Sequence, residues 1–430
     1  MKILMINNNN PLRASGIVAL DLFNGLRRKG HEVKLLVNEY SPDYPADIIS
    51  METLFNVKSK NLLDKIDRRI KLWKPTVTNP DYHFHRLKEK SYSFNVKKLL
   101  KKGKINPDII FVLFAKNFVN SKNIYELNRL THAPVLWLMY DMAPLTGGCH
   151  YAWDCKGYQK SCGSCPGLYS ADPFDVTYEN LLQKKTYIDK TNINLIAASE
   201  WQYRQAMSSS LFGNKIIHKT LLSVDPNIFT PVDKKELRLK MNIPVDKKII
   251  FFGAVYFSTR RKGMYYLMES LNILKERLKD TDLENSIMLL VAGRETERQI
   301  DSWPFQYHSL GFLDNNFGMA SAFQLADVFL CSSIEDSGPQ MINQSIMCGT
   351  PVVAFEMGVS LDLVITGKTG YMAKLKDSND LAEGLFNVLS QDEANSNKLS
   401  TNCRELALDL CSPEIQFERI ETIMENSKTA

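Results

Sequence analysis

Short apolar runs alternate with amphipathic helical patterns along the first half of the chain. The run KILMINN, from Lys2 to Asn8, opens an Asn-rich turn, and apolar residues then recur at helical spacing from Ile17 to Leu26. The next apolar run, HEVKLLV, spans His31 to Val37. This order predicts a β-loop-α-β unit. Similar runs predict further strands at 108–114, 134–140 and 194–199.

The same alternation restarts near Pro231. Apolar runs predict strands at 247–255, 286–293, 327–333 and 351–356, with a helix in MYYLMESLNILKERL after the first. We therefore predict an α/β protein with two doubly wound Rossmann-like domains, over residues 1–230 and 231–411. Because such sheets bind ligands at the carboxyl ends of their strands, we expect the two domains to face each other across a cleft. The helical pattern at 412–430 is expected to cross back onto the first domain.

The composition is that of an ordinary folded protein. Apolar residues make up 44% of the 430 residues and charged residues 23%, which argues against a disordered chain. The sequence contains no apolar run approaching the roughly 20 residues that span a bilayer, and its start does not have the form of a signal peptide. We therefore expect a cytoplasmic protein, in which cysteines are thiols or metal ligands rather than disulfides.

The net charge of +5 is modest but unevenly distributed. Between Met51 and Ile105, fifteen Lys or Arg residues stand against five Asp or Glu residues, an excess of ten positive charges. Within this segment, apolar residues from Leu62 to Trp73 recur at helical spacing among basic ones. The pattern is compatible with a basic amphipathic helix at an anionic membrane surface, and it is also typical of a core-packing helix with a solvated face. A nucleic-acid partner is not supported, because the sequence has no zinc-finger spacing, arginine-rich helix or aromatic RNP-like strand.

A basic cluster follows the predicted strand at 247–255. The stretch FSTRRKG places Arg260, Arg261, Lys262 and Gly263 at the start of a helix. Cations at a helix N-terminus predict a pyrophosphate site, because the amide dipoles and the side-chain charges act at one point. Taken alone, the basic triplet is also compatible with a solvated loop.

An acidic pair follows the predicted strand at 327–333. Glu335 and Asp336 stand at the carboxyl end of that strand, and Gly338 and Pro339 open the next helix. Glycine lets a backbone approach a ligand closely, and proline is tolerated at the start of a helix. Each carboxylate by itself is also typical of a helix N-cap. The occurrence of the acidic pair together with the basic loop favours a ligand site.

Several motifs together resemble a known enzyme family. The stretch SIEDSGPQMINQSIMCGTPVVAFEMG, followed by KTGYMAKLKD, resembles the donor-binding signature of the retaining GT-B glycosyltransferases of family 4. The RKG at 261–263 is similar to the basic pair that binds pyrophosphate in that family, and SEWQYRQAMSSSLF with LLSVDPNIFTP resembles its inter-domain segment. DMAPLTGGCHY and the cysteines after it are similar to a subgroup that builds bacterial surface polysaccharides.

The resemblance implies a donor site in the second domain. The family places two carboxylates eight residues apart, the first at the donor sugar and the second at the nucleotide ribose. Asp336 and Gln344 have this spacing, as do Glu335 and Asn343. We prefer the first pair, because Gln344 stands five residues before Gly349 as the family's second carboxylate does. An amide at this position gives a neutral, weaker hydrogen bond to a ribose hydroxyl.

The residues implied by the resemblance form two sets. The donor-binding set is Ser15, Gly16, Gly253, Arg261, Lys262, Gly338, Pro339 and Gln344, with Asn8 and Asn9 in the same first-domain loop as Ser15. The catalytic set is Asp141, Arg261, Lys262, Glu335 and Asp336.

The resemblance also implies an acceptor side in the first domain. Tyr140 stands where the subgroup often has histidine, and tyrosine does not titrate near neutral pH. A retaining front-face mechanism, which the family implies, needs no strong protein base, and Asp141 takes the acceptor-side role. The remaining acceptor-side residues are Thr146, Gly147, Gly148 and His150.

Four of the eight cysteines lie close together, with the spacing C-x5-C-x6-C-x2-C. Only the last pair matches a zinc knuckle. A structural zinc site or a thiol-lined loop is one interpretation; redox-labile cysteines and inert packing are the others. In each case we expect the loop to form a wall of the active site. The candidate zinc ligands are Cys149, Cys155, Cys162 and Cys165.

These observations lead to one predicted function. We predict a retaining glycosyltransferase that moves a sugar from a UDP- or GDP-linked donor to a saccharide or lipid-linked saccharide in polysaccharide biosynthesis. Its chemistry requires no cofactor, and the basic segment places it peripherally on the inner face of a membrane. A nucleotide-sugar epimerase of the same fold is one alternative. A catalytically weak saccharide-binding module, motivated by Gln344 and Tyr140, is the other.

Overall fold

The structure is a computed structural model that describes residues 1–8, 10–12, 16–55, 78–84, 88–90, 94–115, 118–294 and 303–429. Two of the predicted features lie outside these residues. One is the pair Asn9 and Ser15 of the predicted donor-side loop, and the other is the basic helical pattern from Leu62 to Trp73.

The chain divides into two compact units. Unit 1 consists of Met1–Ala198, Gln202–Lys219 and Arg419–Ala430. Unit 2 consists of Ser199–Trp201 and Thr220–Glu418.

The described part of unit 1 contains one parallel sheet. Its strands are β1 Lys2–Ile6, β2 Glu32–Val37, β3 Ile48–Ser50, β4 Ile109–Val112, β5 Val135–Leu138, β6 Ile193–Ala197 and β7 Ile217–Lys219. They are ordered β3-β2-β1-β4-β5-β6-β7. Ile3 of β1 pairs with Val33 on one side and with Ile109 on the other. The strand order therefore reverses between β1 and β4, which is the topological switch point of the sheet.

The described helices of unit 1 begin at recognisable sequence signals. Asp175 accepts a hydrogen bond from the amide of Thr177 at 2.8 Å, and Asn120 accepts one from Asn123 at 2.9 Å, so both cap free amides of a first turn. These helices are α1 Gly16–Arg28, α2 Met51–Phe55, α3 Val96–Gly103, α4 Ser121–Thr131, α5 Val176–Ile188 and α6 Glu200–Met207, the last from Gln202 on.

The described part of unit 2 repeats this architecture. Its strands are β8 Lys248–Gly253, β9 Ile287–Ala292, β10 Gln306–Ser309, β11 Val328–Cys331, β12 Val352–Phe355 and β13 Gly370–Ala373. They form a parallel sheet in the order β10-β9-β8-β11-β12-β13. Ile250 of β8 pairs with Leu289 and with Val328, so the switch point lies between β8 and β11.

Most of the described helices of unit 2 lie between its strands, and three helices follow one another after β13. They are α7 Lys234–Lys240, α8 Met264–Arg277, α9 Asn316–Leu325, α10 Gln340–Met347, α11 Ser360–Leu363, α12 Ser378–Leu389, α13 Glu393–Cys411 and α14 Pro413–Thr429. The residues of α14 from Arg419 on belong to unit 1, where the side-chain amide of Asn194 donates to Ser427 Oγ at 2.8 Å. Among the described residues, no helix combines the length and the apolar character needed to cross a bilayer.

The predicted α/β fold with two doubly wound sheets is confirmed. The central strands are continuous apolar runs because both of their faces are buried, as every residue of β4, β5, β9, β11 and β12 shows. The sequence did not predict the four edge strands β3, β7, β10 and β13. These strands have only three or four residues, and each includes partly exposed positions, so none of them forms a long apolar run.

Candidate active site

The basic loop after β8 folds into a single 3₁₀ turn. The turn spans Arg260–Lys262 and passes through Gly263 into α8. Gly263 has a φ of 66°, and a Cβ atom built on it would lie 1.9 Å from the carbonyl oxygen of Ser332. A side chain at this position would be strained and would clash with backbone, so glycine is required. Gly263 thereby lets the start of α8 pack against the loop that follows β11.

Two hydrogen bonds join the basic loop to the loop after β11. The amide of Ile334 donates to the carbonyl oxygen of Arg261 at 2.9 Å. The hydroxyl of Ser332 donates to the carbonyl oxygen of Lys262 at 2.8 Å. The two loops that the sequence singled out for chemistry are therefore held side by side at the switch point of unit 2.

Asp336 receives two of the three cations of the basic loop. Lys262 Nζ donates to Asp336 Oδ2 at 2.8 Å, and Arg261 Nη1 donates to the same oxygen. Asp336 is only 8% exposed. Burial by itself raises the pKa of the Asp336 carboxyl, but the charges of Lys262 and Arg261 outweigh burial and hold that pKa well below its usual range. Two cations and one carboxylate leave the cluster with one net positive charge.

The chain turns from Asp336 into α10 with its first amides uncapped by a side chain. Pro339 occupies the N-cap position and makes no side-chain capping bond. The amide of Gly338 donates to Asp336 Oδ1 at 3.4 Å. A Cβ atom on Gly338 would make only ordinary contacts, the nearest at 3.5 Å from Val359 Cβ. Packing within the described residues thus does not explain this glycine, whereas close approach of a ligand to the backbone would.

The structure distinguishes the two candidates for the ribose-side amide. Asn343 is 2% exposed, and its side chain donates to the carbonyl oxygen of Leu222 at 2.9 Å. Gln344 is partly exposed, and its side chain has no hydrogen-bond partner among the described residues. Asn343 therefore serves the packing of unit 2, and Gln344 is the amide that a ligand could reach.

The other donor-side residues are distributed over both units. Gly253 ends β8, where a Cβ atom would lie 2.9 Å from Met341 Cε, and Glu335 is 6% exposed beside Asp336. Gly16 belongs to unit 1 and begins α1. A Cβ atom on Gly16 would lie 1.9 Å from the carbonyl oxygen of Asn10, so the close approach that this glycine permits is to the chain's own backbone.

The acceptor-side residues lie in unit 1, on the loop after β5. Asp141 is 3% exposed; its Oδ1 accepts from the amide of Ala143 at 2.6 Å, and its Oδ2 lies 2.8 Å from His150 Nδ1. The amide of Met142 also donates to the carbonyl oxygen of His150 at 3.1 Å. The loop thus closes on itself, and Asp141 orients the His150 ring.

Helix α5 holds this loop in place through residues on one of its faces. Lys184 Nζ donates to the carbonyl oxygens of Ala143 at 2.6 Å and Thr146 at 2.7 Å. The side-chain amide of Asn180 donates to the carbonyl oxygen of Gly147 at 2.8 Å. Neither residue was predicted from the sequence. The local pattern does not show which of two adjacent lysines points inward, and it does not distinguish a buried asparagine from an exposed one. The shape of the loop therefore rests on α5 as well as on its own residues.

A pocket, which we call the β5 pocket, opens beside this loop within unit 1. Its polar lining is Glu89, Tyr140, Asp141 and Lys184, and Phe114 and Trp137 are among its apolar walls. Glu89 is 3% exposed and accepts from the amide of Ser121 at 2.8 Å. Glu89 is a further residue that the sequence did not single out, since nothing in the local pattern distinguishes it from a surface glutamate.

The four clustered cysteines are free thiols that line one small cavity with Tyr82 and Phe84. Burial raises the pKa of Cys162 to about 11, and it also raises the pKa of Cys149 and Cys165. The described residues include no group of three or more His, Cys, Asp or Glu side chains arranged to hold a metal ion. Zinc binding at Cys149, Cys155, Cys162 and Cys165 therefore stays a prediction.

Comparison with known proteins shows that the second half of the chain is similar to sugar-transferring enzymes. Residues 246–391 match the family Glycosyl transferases group 1. The D-inositol 3-phosphate glycosyltransferase of Arthrobacter sp. is 28% identical over 179 residues, which are 38% of this chain and 40% of that protein. The phosphatidyl-myo-inositol mannosyltransferase of Mycobacterium leprae is 30% identical over 152 residues, 34% of this chain and 38% of that protein.

A third relative has a lipid-linked saccharide in its name. The N,N'-diacetylbacillosaminyl-diphospho-undecaprenol alpha-1,3-N-acetylgalactosaminyltransferase of Campylobacter jejuni is 25% identical over 182 residues, 42% of this chain and 46% of that protein. The chain thus matches less than half the length of each of these relatives.

Solved structures match the chain over nearly its whole length. The sucrose-phosphate synthase of Thermosynechococcus elongatus superposes with a TM-score of 0.65 at 17% identity, covering 99% of this chain and 98% of that one. The Anabaena protein HepE in complex with UDP and glucose superposes with a TM-score of 0.62 at 14% identity, covering 99% and 100%. Together with the two parallel sheets, these matches show that the chain has the two-domain GT-B fold, and its residues 246–391 match the family Glycosyl transferases group 1.

Proposed function

We propose that this chain is a retaining glycosyltransferase that moves a sugar from a nucleotide diphosphate donor to a saccharide or lipid-linked saccharide. One observation carries the proposal: Arg261 and Lys262 converge on Asp336 at the switch point of unit 2. In an open α/β sheet this is the place where ligands bind. The cluster lies within the residues that match the glycosyltransferase family.

The chemistry follows from the charge of this cluster. Cleavage of a nucleotide sugar leaves negative charge on the departing diphosphate. Arg261 and Lys262 supply positive charge there, and the uncapped amides at the start of α10 supply oriented dipoles. Asp336 holds the two cations in place before the donor arrives, so that little reorganisation is needed during the reaction. Retention of configuration is proposed from the resemblance to family 4.

The donor and acceptor classes are proposed from similar proteins and from side chains of this chain. A neighbour of the same fold contains UDP and glucose, and Gln344 offers an accessible amide for a ribose hydroxyl, so we propose a UDP- or GDP-linked donor. The names of the Mycobacterium and Campylobacter relatives contain lipid-linked acceptors. We therefore propose a saccharide or lipid-linked saccharide acceptor, and a role in polysaccharide biosynthesis.

Association with an anionic membrane surface is part of the proposal. Helix α3 buries Val96 and Leu99 and exposes lysines on its other side. Lys98 Nζ and Lys102 Nζ lie 5.4 and 5.8 Å from the centre of the Phe55 ring. Such a face attracts anionic lipid head groups. The exposed lysines are Lys97, Lys98, Lys101 and Lys102.

The proposed function is tested by incubating the full chain with UDP-glucose, UDP-N-acetylglucosamine and GDP-mannose and measuring release of UDP or GDP. We expect release from at least one donor, and α-configured product by proton NMR when an acceptor is present. Lys279→Ala serves as a control, because Lys279 is 55% exposed and its ammonium pairs with Glu276 in the turn before it. Tight nucleotide binding without release would favour the saccharide-binding module, and conversion of the sugar without release would favour the epimerase.

A further inference from the structure

We infer that a groove in unit 2, at the edge of its sheet opposite the Asp336 cluster, binds an uncharged, hydroxyl-rich saccharide chain. The groove, which we call the α13 groove, lies between α13, the end of α12 and the turn before β13. The inference rests on the proposed function for the role of the site, which is to hold an acceptor or product chain, and not for the binding itself. The polar side chains that line the groove are Thr366, Asn387, Gln391, Asn395, Lys398 and Asn402.

The position of the α13 groove separates it from the donor site. Thr366 and Gly367 line the groove and precede Gly370, the first residue of β13. Asp336 instead follows the end of β11, and β11, β12 and β13 run parallel to one another. Parallel strands begin at one edge of a sheet and end at the other. A ligand in the groove therefore leaves the Asp336 cluster open to a nucleotide sugar.

The turn before β13 forms one wall of the groove. The amide of Gly367 donates to the carbonyl oxygen of Gly370 at 3.0 Å, and the amide of Met372 donates to Thr366 Oγ1 at 3.1 Å. These bonds fix the turn. A Cβ atom built on Gly367 would meet no described atom within 4 Å, so the groove is open on this side.

One face of α13 forms the opposite wall. Asn395, Lys398, Leu399 and Asn402 line the groove, and their spacing of three and four residues places them on the same face of the helix. The side-chain amide of Asn402 donates to the carbonyl oxygen of Lys368 at 3.1 Å, which leaves its side-chain oxygen as an acceptor. The side chains of Asn395 and Lys398 are exposed and have no hydrogen bond or ion pair with any described residue.

Gln391 adds a second fixed amide, at the junction of α12 and α13. Its Nε2 donates to the carbonyl oxygen of Asn387 at 2.8 Å, so its side-chain oxygen is also available as an acceptor. The groove thus offers two positioned acceptor oxygens, from Gln391 and Asn402, and donors from Asn395 and Lys398. Sugar hydroxyls both donate and accept, and neighbouring hydroxyls of one ring match such a mixture.

The apolar part of the groove suits the same ligand. Val388 and Leu399 are both 8% exposed and line the groove with Tyr371. The Tyr371 hydroxyl donates to Asp380 Oδ1 at 2.7 Å, which holds its ring in place. A pyranose has C–H faces that pack on apolar and aromatic surfaces and hydroxyl edges that form hydrogen bonds. Apolar walls with a few polar groups are typical of ligand sites.

The charges around the groove favour an uncharged ligand over an anion. Among the described residues that line it, Lys398 is the only charged one. The start of α13 does not attract anions either, because Asp392 accepts from the amide of Asn395 at 2.8 Å and Glu393 lies in the first turn. A single exposed lysine interacts only weakly with an opposite charge in water. Recognition in the groove therefore depends on hydrogen bonds and packing.

The experiment measures binding of oligosaccharides to the full chain by calorimetric titration. The uncharged probes are maltohexaose, cellohexaose, mannohexaose and chitohexaose, and the charged probe is hexagalacturonate. We expect at least one uncharged probe to bind, and hexagalacturonate to bind no more tightly than that probe. Lys262→Ala should keep the affinity for this probe, because Lys262 belongs to the cluster at the other edge of the sheet.

A double variant locates the binding in the α13 groove. In Asn395→Ala/Lys398→Ala, we expect the affinity for the uncharged probe to fall by about tenfold or more, which corresponds to the loss of two hydrogen bonds. The melting temperature should stay unchanged, because both side chains are exposed and make no bond within the described part of the chain. A merely structural role of these residues would change the melting temperature and not the affinity.

The matched control is Asn397→Ala/Lys235→Ala. Asn397 is exposed on the same helix, Lys235 is exposed on α7, and neither lines the groove. We expect this variant to bind the probe like the wild type. Failure of every uncharged probe to bind, binding of hexagalacturonate alone, or unchanged affinity in Asn395→Ala/Lys398→Ala would each overturn the inference.

Failure of the inference is distinguishable from failure of the proposed function. Nucleotide-sugar cleavage is measured on the same protein without any oligosaccharide. If a donor is cleaved and no uncharged hexasaccharide binds, the inference is wrong and the proposed function stands. If a hexasaccharide binds through Asn395 and Lys398 and no donor is cleaved, the proposed function is wrong and the groove is still a saccharide site.

Discussion

Lys262 Nζ lies 2.8 Å from Asp336 Oδ2, although the two residues are 74 positions apart in the chain. This ion pair joins the loop after β8 to the loop after β11, on the two strands that flank the switch point of unit 2. The Lys262 side chain is only 21% exposed, so it is not the freely solvated loop charge that a basic triplet suggests. Changing it should therefore affect both stability and chemistry.

Lys262→Ala is expected to lower kcat/KM by about 10² to 10³, because a lost preorganised partner of the leaving group costs about 3 to 4 kcal/mol in the transition state. The variant should also lose about 1 kcal/mol of unfolding free energy, since Asp336 keeps Arg261 but loses one partner. Lys262→Arg should recover part of the activity. Nucleotide release at saturating and limiting donor checks this, and near wild-type kcat/KM in Lys262→Ala would contradict the donor site.

Asp336 should make the stability of unit 2 depend on pH only in acid. Its pKa in the folded chain lies below the unfolded value of about 3.9, so the pair stabilises fully above that value. This contribution is lost as the pH falls through the folded pKa. Asp336→Asn should lower the free energy of unfolding by about 1 to 3 kcal/mol at neutral pH. This is less than the loss expected when a fully buried ion pair is broken, because the side chains of Arg261 and Lys262 are 24% and 21% exposed.

Urea unfolding at a series of pH values measures this difference between wild type and Asp336→Asn. We expect a constant difference between about pH 6 and 8 and a shrinking one below about pH 4. The exposed Asp282→Asn is the control and should change stability by less than about 0.5 kcal/mol. A difference that grows toward acid would show that the sign of the assigned pKa shift is wrong.

Gln344→Glu is expected to tighten binding of the donor nucleotide by about threefold to tenfold, because a charged acceptor makes a hydrogen bond roughly twice as strong as a neutral one. The neighbouring Asn343→Asp should not tighten binding. It should instead destabilise unit 2, since a carboxylate cannot donate to the carbonyl oxygen of Leu222. Titration with UDP and GDP measures the effect of each variant on nucleotide binding, and thermal unfolding measures its effect on stability. Tighter binding in Asn343→Asp would reverse the assignment.

The cysteine cavity is expected to hold one zinc ion per chain when the protein is purified without chelator. Cys165→Ser should remove the metal, and Cys403→Ser, in the core of unit 2, should not. Without metal, the raised pKa of about 11 that burial gives Cys162 predicts slow alkylation near pH 8 and faster reaction as the pH rises toward 11. A metal content near zero with four slowly reacting thiols would favour inert packing.

Helix α3 is expected to contribute to binding of anionic vesicles. Replacing Lys97 and Lys101 by Glu should reduce sedimentation with phosphatidylserine-containing vesicles, since each basic residue near such a surface contributes about 1 kcal/mol. Binding by the wild type should weaken with salt. Replacing the exposed Lys235 and Lys240 of unit 2 by Glu is the matched control. Equal recovery of the wild type with neutral and anionic vesicles would contradict the proposed binding of α3 to an anionic membrane surface.

Sequence patterns alone determined the architecture of the protein. Long apolar runs between amphipathic helices predict buried parallel strands, and the central strands were found in this way because most or all of their positions are buried on both faces. The same patterns located the basic and acidic loops, since glycine, proline and clustered charges at strand ends are local signals. The edge strands were not predicted because they are short and bury at most part of their length.

Only the tertiary structure decided which polar side chains act together. The spacing of eight residues fits both Asn343 and Gln344, and the sequence favoured Gln344 only through its distance from Gly349. The reason that Asn343 is engaged elsewhere is the carbonyl oxygen of Leu222, which lies 121 positions away in the chain. Local patterns gave no sign of Glu89, because its burial depends on contacts with distant segments. A hydrogen bond is set by distance and direction in space, whereas a sequence pattern reports only the periodicity of burial. The ion pair of Lys262 with Asp336 therefore had to be read from the fold.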